Sequence, residues 1–178
     1  MSVAPESVPR FPLEWPLNWP RAKSRRAGAF NMTREDRVEG RADPVKRVTA
    51  VNMEVATTRL ETQLNKLGAR NATLSTNVSL NLRGVPRGDE NPRDPGAAVY
   101  FSYKGKATVL ACDAYTRVAD NIAALANHID ALRRIERYGV GTIEQALAGY
   151  KALPADTAAD WRMVLGLSLA SVTMDDVD

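Results

Sequence analysis

The sequence predicts an α+β fold: a small antiparallel sheet of about three to four strands with helices packed on one face. Three observations predict it. Residues 72–82 alternate apolar and polar side chains, residues 97–112 form two apolar runs around a glycine connection, and residues 115–138 repeat apolar side chains at threes and fours.

The N-terminal stretch comes first. Residues 1–47 contain Pro5, Pro9, Pro12, Pro16 and Pro20, with Trp15 and Trp19 four residues apart in FPLEWPLNWP and a basic cluster, Arg21, Lys23, Arg25 and Arg26, behind them. Proline at this density denies a continuous helix and predicts an extended arm. Its indoles need somewhere to go. Docking against the body of the same chain is the expected arrangement; a partner-binding segment or a base-stacking platform is the alternative.

The body is expected over residues 48–154. From Val48 to Leu67, Met53, Ala56, Leu60, Leu64 and Leu67 fall at helical spacing, and Gly68 stands where a C-cap would. From Ala72 to Leu82, Leu74, Thr76, Val78, Leu80 and Leu82 share one strand face, while Ser75, Asn77, Ser79 and Asn81 take the other. Residues 83–96 hold turn formers and charges without a period, which predicts a loop. Ala97 to Tyr103 and Ala107 to Cys112, separated by Lys104-Gly105-Lys106, predict an antiparallel hairpin. Tyr115, Val118, Ile122, Leu125, Ile129, Leu132, Ile135 and Tyr138 then mark a long helix, with Asp113 placed to cap its start and Gly139 to end it. A short helix is expected from Thr142 to Tyr150.

Composition narrows the function classes. One His and one Cys leave no disulfide framework and no His/Cys zinc cage, and any Ser-His-Asp or Cys-His system would have to use His128. No run approaches the roughly 20 apolar residues of a membrane span, and no apolar signal core opens the chain, so a cytoplasmic protein without a membrane partner is expected. The net charge of +3 is unevenly spread: 10 basic and 6 acidic side chains in residues 1–48, 13 and 10 in 49–153, and 1 and 5 in 155–178. A basic body thus carries an acidic end.

The stretch Asp94 to Gly139, DPGAAVYFSYKGKATVLACDAYTRVADNIAALANHIDALRRIERYG, resembles a region of phage and prophage J-domain-containing proteins. The pattern joins a DPG-x-AVYF strand, an ACD turn and a DN-containing helix ending in R-x-x-ER-x-G. The resemblance extends to the FPLEWPLNWP arm and to DWRMVLGL and SVTMDDVD, which are similar to the opening of a J domain, so residues 155–178 are expected to be an acidic tail of that kind. A J domain works through a basic second helix and a His-Pro-Asp loop. This sequence has neither, since its His lies in Asn127-His128-Ile129-Asp130, and co-chaperone activity is not implied.

Chemistry has one carboxylate candidate. Asp113, Asp120 and Asn121, with Asp94 arriving from the loop, are weak candidates for a magnesium site that activates water for phosphodiester cleavage; a solvated helix face is the plainer reading. RVADNIAALANHIDAL is faintly similar to the D-x-D-N-x-x-K…D-A-L helix of RusA-type Holliday-junction resolvases, which implies Asp120 and Asn121 as second acid and amide, and Asp130-Ala131-Leu132 at the helix end. Val118 stands where that family has its first acid and Ala124 where it has its lysine.

The leading expectation is therefore a non-catalytic nucleic-acid-binding accessory protein of a phage or mobile element. Arg25, Arg26, Lys104, Lys106, Arg117, Arg133, Arg134 and Arg137 are its candidate DNA contacts. The alternative is a phage factor that binds a host protein complex, with Trp15 and Trp19 as its contacts. A degenerate RusA-like nuclease stands third. No cofactor is expected, and a homodimer is admitted as an assembly.

Overall fold

The computed structural model describes residues 8–37, 43–80, 86–88 and 90–150. The acidic tail and the end of the alternating stretch beyond Leu80 lie outside the described residues. The α+β class holds: β1 (Val8–Arg10), β2 (Asn31–Asp36), β3 (Val45–Ala50), α1 (Met53–Leu67), β4 (Arg70–Thr76), β5 (Ala97–Tyr103), β6 (Lys106–Cys112), α2 (Val118–Arg137) and α3 (Ile143–Leu147) follow in order. Strands β1-β4-β5-β6 form one sheet, antiparallel except for β1, which runs parallel to β4; β2 and β3 form a separate antiparallel ribbon.

Helix α1 forms where the three-four spacing predicts, and its five spaced apolar residues are all buried. It starts at Met53 rather than Val48, because Asn52 caps it by accepting the Val55 N–H and residues 45–50 are committed to β3. Gly68 ends it at φ 78°, a left-handed conformation that costs glycine nothing. The β5–β6 turn has only two residues, Lys104 and Gly105, both at positive φ, as a tight hairpin with right-twisted strands requires.

One sheet face carries Leu74, Val99, Phe101 and Leu110 against α1 and α2. Leu60, Leu74, Leu110, Ile122 and Ile129 are wholly enclosed there, and each contributes about 2–3 kcal/mol of apolar burial. The other face is covered by the N-terminal arm. The Leu13 N–H donates to Asn77 Oδ1 at 3.1 Å, the Glu14 N–H to Ser75 Oγ at 2.7 Å, and the Tyr100 hydroxyl to the Glu14 carbonyl at 3.0 Å.

The alternating stretch is thus covered on both faces where it forms a strand. β4 ends at Thr76, and Ser75 on its polar face is fully buried under the arm. Gly96 makes the close approach possible, since a Cβ there would lie 3.0 Å from Leu13 and 3.2 Å from the Trp15 ring.

Candidate nucleic-acid interface

The root of the ribbon is built where the arm crosses the start of α2. Arg26 pairs with the chain beside Tyr115, donating its N–H to the Ala114 carbonyl and accepting the Thr116 N–H, both at 3.0 Å. Phe30 then packs edge-on against Tyr115, and its carbonyl receives the Val51 N–H at 2.9 Å. Arg117 donates to the Val51 carbonyl at 2.7 Å, and Arg59 of α1 to the Asn31 carbonyl at 2.9 Å. Two arginines, one in α1 and one capping α2, therefore hold the base of the ribbon.

Beyond that base the ribbon stands in solvent. Met32, Asp36 and Val45 are half-buried, and its remaining strand residues are exposed. Arg34 and Arg47 face each other across the pair and share Asp36, at 3.0 and 3.5 Å; on the opposite face Lys46 meets Glu35 at 3.6 Å. Sequence reasoning placed this segment in an extended arm. The ribbon has no apolar alternation to betray it, but Asp43-Pro44 before Val45, Val48 and Thr49 was an available turn-and-strand signal.

The predicted DNA contacts fall at two ends of α2, which spans about 30 Å for its 20 residues. Arg25, Arg26 and Arg117 lie at its start. Lys104, Arg133, Arg134 and Arg137 lie toward its end, where the β5–β6 turn meets α3 through a Lys104–Glu144 ion pair. Most of these side chains are already engaged within the chain. Arg133 donates to Gln63 at 2.9 Å, Arg134 meets Asp130 at 2.7 Å, and the Arg26 guanidinium lies 5.3 Å from the Tyr115 ring centre. The side chains of Lys23, three residues before Arg26, and of Lys106 have no hydrogen bond or ion pair among the described residues, and both residues are exposed.

Of the carboxylate candidates, Asp94 and Asp113 come together on two shared arginines, but Asp120 does not join them as a third metal ligand. Asp113 neither caps α2, whose N-cap is Arg117, nor faces an open site. It is buried, accepting the Ala22 N–H at 2.9 Å and meeting Arg21 and Arg25 at 3.5 and 3.4 Å. The same two arginines bridge to Asp94, Arg25 at 3.1 Å. Two guanidinium groups thus balance two carboxylates and tie the arm to the sheet end, where a metal ion would have to displace them.

Asp120 and Asn121 are not on a solvated helix face; both are buried. Asn121 is spent on the backbone, donating to the Pro95, Tyr115 and Arg117 carbonyls at 2.8, 2.9 and 3.3 Å. Asp120 packs against Gly28, and neither of its oxygens has a hydrogen-bond partner; Arg117 stands 3.7 Å away. Among the described residues no three His, Cys, Asp or Glu side chains gather as metal ligands.

Both indoles are seated on the body. Trp15 lies under the Arg21 guanidinium at 4.1 Å and donates to the Trp19 carbonyl at 3.0 Å. Trp19 packs against Tyr150, whose ring also meets His128 edge-on at 5.6 Å. His128 is half-buried, and burial lowers its pKa. Tyr100 and Tyr103 lie on opposite faces of β5, one under the arm and one in the helix-side core.

No helix among the described residues is long and apolar enough to cross a membrane. Compared with protein-family models, curated proteins and solved structures, the chain matches none.

Proposed function

We propose that the chain is a non-catalytic accessory protein of a phage or mobile element that binds duplex DNA through the β2–β3 ribbon and its basic root. One observation carries the reading: a two-stranded ribbon that buries neither face in its own protein projects from a root at which Arg26 and Arg117 lie. The major groove of B-DNA, about 12 Å wide, admits such a ribbon. Isolated ribbons are marginal in water, so a function at the exposed faces accounts for keeping one.

Charge supports the same end of the molecule. Residues 21–50 hold 9 basic and 4 acidic side chains, and with Asp94 and Asp113 set against Arg21 and Arg25 the segment keeps a net +3. The Arg34–Asp36–Arg47 face offers two guanidinium groups to phosphates or to guanine edges once Asp36 releases them. A fluorescence-anisotropy titration of a labelled duplex tests this. Arg34→Glu with Arg47→Glu is expected to weaken binding by about a hundredfold. Binding unchanged in that variant would refute the assignment.

A further inference from the structure

The end of α2 opposite the ribbon carries a second surface of different chemistry. Ile135, Tyr138 and Val140 are exposed there, at 38%, 70% and 83%. They form one patch because the chain folds back after the helix: Gly139 turns at φ 72° and the Val140 N–H donates to the Ile135 carbonyl at 3.3 Å. Exposed apolar side chains gathered at one spot mark interaction sites more often than single ones do.

The charges around the patch say what would cover it. At about 100° per residue, Arg134, Tyr138, Arg137 and Ile135 fall within one side of the helix, and Glu136 points away. Arg137 lies over the Tyr138 ring at 5.4 Å and has no acidic partner among the described residues. Tyrosine and arginine side by side around aliphatic groups are the residue types that carry most binding energy at protein interfaces.

We infer that this patch docks an acidic amphipathic segment of a partner protein, its apolar side chains on Ile135, Tyr138 and Val140 and a carboxylate on Arg137, beside Arg134, which Asp130 already pairs. A second copy of the chain fits less well, because a two-fold contact here sets the arginines of both copies against each other. DNA fits less well too, since phosphates gain nothing from the aliphatic centre. The inference stands apart from the ribbon reading and does not depend on it.

The test is an NMR titration of the isotope-labelled full chain with a twelve-residue peptide carrying leucines at helical spacing and glutamates elsewhere, against the same peptide with lysines. The glutamate peptide is expected to shift Ile135, Tyr138, Val140 and Arg137 saturably. Tyr138→Ser and Arg137→Glu, both at exposed positions, are each expected to weaken it about tenfold. Equal response to the lysine peptide, no shift at the patch up to about 1 mM, or shifts that follow protein concentration without peptide would overturn the inference. So would the same residues shifting on addition of duplex DNA.

Discussion

Asn121 holds both sides of Tyr115. Its Oδ1 accepts the Tyr115 N–H at 3.0 Å and its Nδ2 donates to the Tyr115 carbonyl at 2.9 Å, while the Cys112 thiol donates to the same Oδ1 at 3.3 Å. One buried amide therefore fixes the turn from β6 into α2, and with it the aromatic ring against which Phe30 and the ribbon root pack. A carboxylate would lose the three donations to carbonyls and set a negative charge among them. Asn121→Asp is expected to cost more stability than Asn121→Ala, each at least about 2 kcal/mol, measured by urea unfolding. A catalytic amide with no structural part would leave stability near wild type.

Gly28 and Asp120 are in contact so close that a Cβ on Gly28 would sit 2.4 Å from the Asp120 carboxyl carbon. Gly28→Ala is expected to destabilise by about 2 kcal/mol or more through overpacking. Asp120→Ala in that background removes the carboxyl carbon and a buried carboxylate without hydrogen bonds but leaves a Cβ at 2.7 Å, so the double variant is expected to recover only part of the stability lost in Gly28→Ala. A double-mutant cycle from thermal or urea unfolding measures the coupling.

His128 supplies a pH dependence with a definite sign. Burial lowers its pKa from 6.5, so below that value the unfolded chain binds a proton that the folded chain resists. Stability is expected to fall as the pH drops from 6.5 toward the folded pKa, and His128→Gln is expected to flatten that part of the profile. An NMR titration of the His128 ring, with a midpoint below 6.5, reports the same shift directly.

Cys112 ends β6 half-buried against Asn121, and burial raises its thiol pKa above 9.0. The thiolate is the reactive form. Modification by a soluble disulfide reagent at neutral pH is expected to be slow in the folded chain and fast after addition of urea.

Much of the body was legible because its elements bury apolar side chains at a fixed period. Met53 to Leu67 and the β5–β6 hairpin are of that kind, and even the docking of Trp15 and Trp19 followed from the cost of leaving indoles in water. What the period could not carry was polar burial. Ser75 and Asn121 read as solvent-facing because their polarity is satisfied by partners far along the chain, Glu14 at 61 residues and Pro95 at 26. Asp113 looked like a helix cap for the same reason; its partners Arg21 and Arg25 lie in a segment that pattern alone could not bring near it. The ribbon was hidden by the reverse condition, strands with almost no buried side.

Whether the ribbon end of the molecule tracks the DNA backbone, as proposed, is decided by the affinity for a short duplex measured against salt. Each phosphate neutralised contributes about −0.9 to the slope of log affinity on log salt, so four or more contacts predict about −3.5 or steeper. Lys23→Ala with Arg26→Ala should make that slope shallower by about 1 to 2, and charge reversal at Arg134 and Arg137 should leave it unchanged. A slope near zero, or one that responds only to the reversal at Arg134 and Arg137, would rule out DNA binding through the ribbon end.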